Sequence, residues 1–461
     1  MPILKVLLTG ALALVLAIAS PILAANDPAL EVEVDAYLQP LLDLDLISGS
    51  ILIAKGDEIL LAKGYGPANR EHGIPNTPET KFRLGSMTKQ FTAMGILVLA
   101  NKGKLSLDDP LAKYLPDYPN AEKITLHQLL SHTSGVLSYN AVEGYGENYI
   151  KPWSIDDVIE WFKDDPLQFE PGEDWAYSNS GYVLLAKVIE VVSGQDYADF
   201  LRQAIFEKLG MEDTGQDVFT TVLPDRATGY GNADREIYNA PYRDLPFTSG
   251  AGSLYSTVLD LYKWDRALYT GTLISQELLD RMMTPVEHDY AYGWFVREAF
   301  GHKLVEHGGA INGFLAQSQR FVDDDLVVIS LFNYESTFWR TVNHGLAAIA
   351  LGEDYELALL SKPLVLEPAL LETYDGEYEV MEDYFVTLAV ENGRLVLRAT
   401  DDPEGCVGRA QSETKFFFPE INLMMDVDRD EEGKVTGLHL LQGAHRAAGT
   451  PVQGPEGEPR Q

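Results

Sequence analysis

Ser86 and Lys89 are three residues apart in the tetrad Ser-Met-Thr-Lys, which has the S-x-x-K pattern. Apolar residues recur at helical spacing over residues 90–97, without proline, which predicts a buried helix that begins near Ser86. Side chains three residues apart share one helix face, so the amine of Lys89 can reach the Ser86 hydroxyl. A lysine whose pKa is lowered by burial can activate a serine as a nucleophile. On the tetrad alone, a helix cap followed by a solvated lysine is the simpler interpretation.

Two further segments favour the catalytic interpretation. Tyr177 and Asn179 form a Y-x-N pattern, and His307 precedes two glycines and Ala310 at the end of a predicted strand. In this order, the three patterns resemble the signatures of the β-lactamase-like serine hydrolases, which include class C β-lactamases, serine DD-peptidases, D-aminopeptidases and related esterases. The resemblance covers roughly residues 35–350, with supporting segments at 129–135 and 249–254.

The resemblance implies roles for three catalytic side chains. Ser86 would attack a carbonyl carbon and form an acyl-enzyme. Lys89 would take the serine proton or tune a neighbouring group. Tyr177 would share the general-base work and protonate the leaving group. A phenol, with an ordinary pKa of about 10, acts as a base only beside cations that favour the phenolate.

The resemblance also implies how a substrate is held. Asn179 would hydrogen-bond both Lys89 and the substrate. The backbone N–H groups of Ser86 and Ala310 would form the oxyanion hole. Gly308 and Gly309 would let the substrate approach the strand closely. This chemistry requires neither a metal nor an organic cofactor, and none is expected.

His307 departs from the pattern of many penicillin-recognising members, which carry lysine at this position. A permanent ammonium there would bind a substrate carboxylate, whereas histidine is mostly neutral above a pKa of about 6.5. The histidine therefore favours esters, amides or peptides over β-lactams as substrates. The second signature is led by tyrosine instead of S-D-N, so a glutamate-activated water is not expected.

The leading functional hypothesis is an exported serine hydrolase that acts on small ester or peptide substrates through an acyl-enzyme on Ser86. One alternative is a β-lactamase or DD-carboxypeptidase that acts on cell-wall peptides. Another is a relative that binds cell-wall peptide without turnover, although the intact set of Ser86, Lys89 and Tyr177 argues against it. The aromatic and glycine-rich loops at 139–146 and 228–247 are candidate rims of the pocket, or ordinary surface loops.

Several other chemically suggestive residues are expected to be structural. His132 lies in a Ser-His-Thr-Ser-Gly run that would shape a loop beside the site. Cys406, which is the only cysteine, is expected to be a packed thiol in a chain without an internal disulfide. The alternating acids of residues 426–432 resemble a calcium loop, but the glycine at 433 comes too late, so a solvated hairpin tip is expected.

The elements that must position these residues indicate an α+β fold. Two apolar runs within residues 48–65 predict a hairpin, and strand patterns return at 292–296, 303–307, 317–322 and 326–332. Residues 86–200 are mainly helical in pattern, and a further helix is predicted at 338–351. The economical arrangement is an antiparallel sheet that joins early and late strands, flanked by helices, with an inserted all-helical region. The resemblance implies the same β-lactamase/transpeptidase-like fold for residues 26–352.

The remainder of the chain predicts a second, all-β domain. Residues 353–368, with two prolines near the end, are expected to be a linker. Short strand patterns with an Asn392-Gly393 hairpin signal follow over residues 369–450 and resemble the small lipocalin-like barrel of some family members. The Gly-, Pro- and Glu-rich tail at 451–461 is expected to be disordered.

The chain has a net charge of −35, with 70 acidic and 35 basic residues. This balance argues against nucleic acid as a partner. Residues 1–25 combine one lysine, an apolar run and a small-residue end, which is typical of a secretory signal peptide; an uncleaved membrane anchor is the alternative. The mature protein is therefore expected to be secreted or periplasmic, without a stable membrane span. The sequence leaves its oligomeric state open.

Overall fold

The computed structural model describes residues 26–233, 236–355, 364–381, 384–400, 402–430, 432–442 and 445–452. The leader predicted over residues 1–25 lies outside the described residues, as do the middle of the linker predicted at 353–368 and most of the tail predicted at 451–461. The boundaries between these segments stay predictions.

Residues 26–352 combine helices with antiparallel sheets. The helices are α1 (Pro28–Asp43), α2 (Thr88–Asn101), α3 (Leu126–Ser131), α4 (Tyr145–Asn148), α5 (Ile155–Phe162), α6 (Asn179–Ser193), α7 (Tyr197–Leu201), α8 (Glu207–Leu209), α9 (Val258–Thr270), α10 (Gln276–Met282) and α11 (Trp339–Leu351). The strands are β1 (Gly49–Lys55), β2 (Glu58–Tyr65), β3 (Pro67–Asn69), β4 (Ile74–Pro75), β5 (Phe82–Arg83), β6 (Gly215–Gln216), β7 (Tyr230–Ala233), β8 (Glu236–Asn239), β9 (Leu254–Ser256), β10 (Phe295–Ala299), β11 (His302–Ile311), β12 (Phe314–Phe321) and β13 (Leu326–Phe332).

The main sheet has six strands in the order β10-β11-β12-β13-β1-β2, all antiparallel, so it joins the early hairpin to the late strands as the sequence predicted. Side chains along β1 alternate between two cores. Ile51 and Ile53 pack with α1 and α11 on one face of the sheet, while Leu52 and Ala54 belong to the larger core on the other face. This period of two is what a strand covered on both faces requires.

The inserted helical region buries α2 almost completely. Every residue of α2 from Thr88 to Leu99 is buried, and α6 and α7 pack against the helix. Most residues of α2 are apolar, and the buried polar residues Gln90 and Thr92 have hydrogen-bond partners, so the helix can lie inside the protein. The helix that begins next to Ser86 is therefore fixed by packing along its whole length.

Two strand boundaries differ from the sequence-based expectation. The strand predicted at 292–296 begins only at Phe295, because Gly293 adopts a left-handed conformation with φ +78°. The strand predicted to end near His307 continues to Ile311, so Gly308 and Gly309 lie inside β11 and pair with β12. The site glycines are thus part of the sheet itself.

The C-terminal part is a nearly closed barrel, in agreement with the sequence. Its strands are β14 (Gly376–Met381), β15 (Tyr384–Glu391), β16 (Arg394–Ala399), β17 (Asp402–Val407), β18 (Arg409–Ala410), β19 (Lys415–Phe418), β20 (Leu423–Arg429), β21 (Val435–Gln442) and β22 (His445–Pro451), preceded by α12 (Pro368–Leu371). They form one nine-stranded sheet whose edge strands, β17 and β18, are consecutive in the chain. Asn392 and Gly393 both have positive φ, as a tight hairpin requires.

The barrel contains the two features that resembled chemical sites in the sequence. Cys406 is buried in the barrel core, opposite Leu397 of the neighbouring strand. Asp430 accepts backbone N–H bonds from Glu432 and Lys434, so its carboxylate closes a hairpin turn between β20 and β21. The barrel contacts the rest of the protein where the Asn422 amide donates to the Thr337 carbonyl oxygen, 3.1 Å away.

None of the helices in the described part of the chain has the length and apolarity that a bilayer span requires.

A buried ion pair fixes α9 to the sheet. The Arg320 guanidinium donates to Asp265, with 2.6 Å between nitrogen and oxygen, and both side chains are almost fully buried. Asp265 also accepts from Arg266. We expect Asp265→Asn to lower the free energy of unfolding by about 3–5 kcal/mol, because it leaves the Arg320 charge buried without its counter-ion.

The matched control is Glu170→Gln, which removes the acid of an exposed pair with Lys123 and should change the free energy of unfolding by less than about 1 kcal/mol. Urea unfolding followed by tryptophan fluorescence measures both variants. All six tryptophans lie within residues 153–339, so the signal excludes the barrel. Equal stabilities of the two variants would show that the buried pair does not hold α9 to the sheet.

Candidate active site

Ser86 lies in a single 3₁₀ turn, Gly85–Met87, that leads directly into α2. Gly85 has φ +51°, and a Cβ atom there would lie 2.8 Å from the backbone nitrogen of Ala310. A Cβ atom on Gly309 would lie 1.9 Å from the carbonyl oxygen of Leu84. The two glycines therefore allow the serine turn to rest directly against β11, which places Ser86 beside the backbone amide of Ala310.

Lys89 is fully buried one helical turn after Ser86. Its Nζ atom lies 3.3 Å from the Ser86 Oγ, 2.7 Å from the Asn179 Oδ1 and 3.0 Å from the carbonyl oxygen of Ala251. No carboxylate of the described residues lies within 4.0 Å of this nitrogen. Burial without a counter-ion lowers the pKa of Lys89 well below 10.5, so the amine is neutral far more readily than that of an exposed lysine.

Three oxygen atoms surround the Lys89 Nζ: the Asn179 Oδ1 and the Ala251 carbonyl oxygen, which accept from it, and the Ser86 Oγ. A lysine that has lost its proton keeps two N–H groups for Asn179 and Ala251, and its lone pair can then face the Ser86 hydroxyl. The Asn179 Nδ2 donates to Asn140 Oδ1 at 2.6 Å, which keeps its oxygen turned toward the lysine. The lysine is thereby oriented as a proton acceptor for the serine.

Tyr177 and Asn179 flank the residue that caps α6. Ser178 is the N-cap, and its hydroxyl accepts the N–H of Gly181. The Lys89 Nζ lies 4.7 Å from the centre of the Tyr177 ring, and the hydroxyls of Tyr177 and Ser86 are hydrogen-bonded. Burial raises the pKa of Tyr177 above 10, more than this bond lowers it. The ground state therefore contains a neutral phenol, instead of the phenolate beside a cation that the sequence analysis considered.

His132 accepts hydrogen bonds from the two residues that flank Tyr177 in the chain. Its carbonyl oxygen accepts the N–H of Ala176 at 3.0 Å, and its Nδ1 accepts the N–H of Ser178 at 3.1 Å. The imidazole also packs on the Tyr177 ring, with 4.3 Å between the ring centres. Burial, with smaller effects of Lys89 and His307, lowers the pKa of His132 well below 6.5, so its Nδ1 lone pair stays available. The structural role predicted for this residue thus acts directly on a candidate catalytic side chain.

His307 is buried and packs near Tyr177 and Tyr290. Its Nδ1 donates to the carbonyl oxygen of Gly308 at 2.6 Å, and its Nε2 accepts from the Tyr290 hydroxyl at 3.4 Å. Burial, followed by the proximity of Lys89, lowers the pKa of His307 to about 3. A neutral imidazole with both nitrogens engaged offers no charge to a substrate carboxylate. The substrate contact predicted for this residue stays a prediction.

A cavity of about 280 Å³ opens onto Ser86. Its wall includes three predicted residues, Ser86, Asn179 and Ala310, and both candidate rim loops contribute to it. The other lining residues are Gly85, Tyr139, Asn140, Tyr145, Arg243, Thr248, Ala251, Gly252, Ile311, Asn312 and Glu335. The loops at 139–146 and 228–247 are therefore walls of the site and not ordinary surface loops.

The sequence analysis did not single out Arg243, Asn312 or Glu335. Asn312 lies in the turn that follows β11, and its closeness to Ala310 in the sequence was a usable signal. The sequence around Arg243 and Glu335 carries no pattern that separates them from other loop residues. Only the tertiary structure brings them to the cavity.

Comparison with known proteins agrees with this arrangement. The β-lactamase family profile matches residues 34–351. The chain belongs to the β-lactamase family. It is a serine hydrolase of this family, as the sequence predicted, and the match covers all of the candidate catalytic residues.

The similarity continues beyond the family domain. Penicillin-binding protein 4* of Bacillus subtilis (strain 168) is 29% identical over 434 residues, which cover 87% of this chain and 94% of that protein. A D-aminopeptidase of Gluconobacter oxydans (strain 621H) is 29% identical over 77% of this chain and 72% of its own length. An octameric penicillin-binding protein homologue from Pyrococcus abyssi has a TM-score of 0.65 and 25% identity, covering 91% of this chain and 99% of that one.

We expect His132 to act on turnover through Tyr177. In His132→Ala, the buried N–H of Ser178 loses its acceptor, so kcat should fall on the order of 10- to 100-fold with little change in KM. His132→Asn should recover most of kcat, since the asparagine oxygen can take the place of Nδ1 and asparagine tolerates the φ of +63° at this position. Steady-state kinetics on any hydrolysed ester measures both variants. A purely structural role would instead lower the melting temperature of His132→Ala and leave kcat unchanged.

Proposed function

We propose that this chain is an exported hydrolase that cleaves amide or ester bonds of small substrates through an acyl-enzyme on Ser86. The observation that carries the proposal is the position of the Lys89 Nζ, which is fully buried, has no carboxylate of the described residues within 4.0 Å and lies 3.3 Å from the Ser86 Oγ. A serine with such a neighbour can lose its proton as it attacks. The relatives named penicillin-binding protein and D-aminopeptidase support peptide or amide substrates, including ones with D-residues.

In acylation, the Ser86 Oγ bonds to the substrate carbonyl carbon while its proton passes to the Lys89 Nζ. The backbone N–H groups of Ser86 and Ala310 donate to the oxyanion that forms. The bond to the leaving group then breaks as Tyr177 gives its proton to the departing nitrogen or oxygen, and Lys89 returns a proton to Tyr177. These transfers leave an ester on Ser86 and all side chains neutral.

In deacylation, water attacks the acyl carbon and gives a proton to the Lys89 amine, which passes it to the Ser86 Oγ as the acyl bond breaks. The acid product leaves, and Ser86 recovers its proton. The sum is the addition of one water across the scissile bond. Asn179 would hold the substrate and Lys89 together, and Gly308 and Gly309 leave room beside β11 for an extended chain.

Export is part of the proposal and is supported by the sequence of residues 1–25. This leader lies outside the described residues. A mature N-terminus near Asn26 on protein recovered from the periplasm or the medium would support it, and a cytoplasmic protein that begins at Met1 would contradict it.

Ser86→Ala tests the nucleophile. We expect wild-type protein to be labelled by a fluorophosphonate, and the variant to lose both labelling and turnover. Wild-type activity should be screened side by side on p-nitrophenyl esters, D- and L-aminoacyl p-nitroanilides and a chromogenic cephalosporin. The expected result is turnover of esters or anilides with little on the cephalosporin. If Ser86→Ala were still labelled, Ser86 would not be the nucleophile.

The pH dependence tests the base. Below its pKa, Lys89 is an ammonium and cannot accept the serine proton, so kcat/KM on an uncharged ester should rise with pH and become constant above the pKa. Because burial lowers this pKa well below 10.5, we expect the plateau to begin well below pH 10. Lys89→Met should lower kcat/KM on the order of 100-fold or more and remove its rise with pH. If kcat/KM of Lys89→Met still rose with pH in the same range, the base would be another group.

A further inference from the structure

Arg243 presents a rigidly held cation to the cavity beside Ser86. Its Nε donates to the Asn312 Oδ1 at 2.9 Å, and its Nη1 donates to the Tyr145 hydroxyl at 2.7 Å. The guanidinium lies over the Tyr149 ring, 4.4 Å from its centre. Two hydrogen bonds and an aromatic face fix the orientation of this side chain, so little conformational freedom remains to be lost when it binds a ligand.

The guanidinium has unused binding capacity. It carries five N–H donors, and the two bonds to Asn312 and Tyr145 use two of them. No carboxylate of the described residues lies within 4.0 Å of Arg243, whereas Arg83, Arg266 and Arg320 are each paired with an aspartate. The chain has twice as many acidic as basic residues, so an arginine on a cavity wall that has no carboxylate partner indicates a binding site for an anionic ligand.

The position of Arg243 assigns it to the acyl half of the substrate, an argument that rests on the proposed function. The leaving group must lie beside its proton donor, Tyr177. Neither Tyr177 nor Lys89 contributes to the cavity wall, whereas Ser86 and Arg243 do. Because Ser86 and Arg243 share this wall and Tyr177 is not part of it, the proposed function places in this cavity the part of the substrate that remains on the enzyme after acylation.

The charges around the cavity limit the number of anionic groups that a bound substrate can carry there. Glu335 also lies on the wall, is exposed, and accepts the N–H of Gly313 at 2.7 Å. Asp244 follows Arg243 in the chain but is buried and accepts from the Tyr242 hydroxyl. A second anion beside Glu335 would be repelled, so the wall suits one anionic group placed at Arg243.

We infer that Arg243 is a specificity residue that binds a carboxylate on the acyl half of the substrate. The substrate class is an ester or amide of an acid that carries a second carboxylate, such as a dicarboxylic or acidic aminoacyl group. The guanidinium donates its remaining N–H groups to that carboxylate, as planar guanidinium–carboxylate pairs do. No covalent step involves Arg243.

Boronic acids test this inference without a known substrate, because boron adds to the nucleophilic serine and its substituent occupies the acyl position. The probes are 3-boronopropanoic, 4-boronobutanoic and 5-boronopentanoic acids, each compared with an alkylboronic acid of the same length. The measurement is protection of Ser86 from fluorophosphonate labelling. In at least one pair, the carboxylated member should protect on the order of 10- to 100-fold better, the range of a charge-assisted hydrogen bond.

In Arg243→Gln, the carboxylated and the alkyl member of each pair should protect Ser86 about equally. The control Arg340→Gln removes an equal charge from an exposed arginine outside the cavity and should keep the preference. Equal protection by both members of every pair in wild type, or a preference that survives in Arg243→Gln, would overturn the inference while leaving the nucleophile assignment intact. Failure of the proposed function has a different signature, since Ser86 would then be neither labelled nor protected by any boronic acid.

Discussion

The burial of one amine without a counter-ion is the constraint on which the site depends. An ammonium in the position of Lys89 would be removed from water on all sides, at a cost of several kcal/mol that no carboxylate of the described residues offsets. Loss of the proton avoids that cost and gives the lysine a lone pair that can accept the serine proton, while its two remaining N–H groups can still donate to Asn179 and Ala251. The same desolvation raises the pKa of Tyr177 and lowers that of His307, so burial favours the neutral form of each of these groups around Ser86.

Several parts of the fold hold the residues of this buried cluster in position. The amine is held by Asn179, from the start of α6, and by Ala251, from the loop before β9. The serine turn can approach β11 only because Gly85 and Gly309 lack side chains. The carbonyl and ring of His132 hold the segment around Tyr177 in place. Each catalytic group therefore depends on a contact made by a different part of the chain.

The chemistry and the specificity of the site have different structural origins. Lys89 belongs to α2, which is buried from Thr88 to Leu99, and Ser86 belongs to the turn that leads into this helix, so neither residue can shift without disturbing the core. Arg243, in contrast, lies on a loop and is positioned by other loop residues, including Asn312 at the turn between β11 and β12. Loops on a rigid scaffold can change without loss of the fold, which is how relatives as different as a penicillin-binding protein and a D-aminopeptidase can resemble one chain.

The sequence by itself indicated most of the elements and the candidate reactive pair. The i, i+3 spacing of Ser86 and Lys89 spans the turn that begins α2, and the alternation along β1 lies within one strand, so local periodicity was sufficient to predict both. The order of the three signatures indicated the family, and the family indicated the fold. Only the tertiary structure decided that the lysine is buried without a counter-ion, which lowers its pKa, that His132 supports the tyrosine and that Arg243 reaches the cavity. Desolvation and these contacts depend on segments that are far apart in the chain. Lys89 is hydrogen-bonded to residues 90 and 162 positions away, and a local sequence pattern contains no information about such contacts.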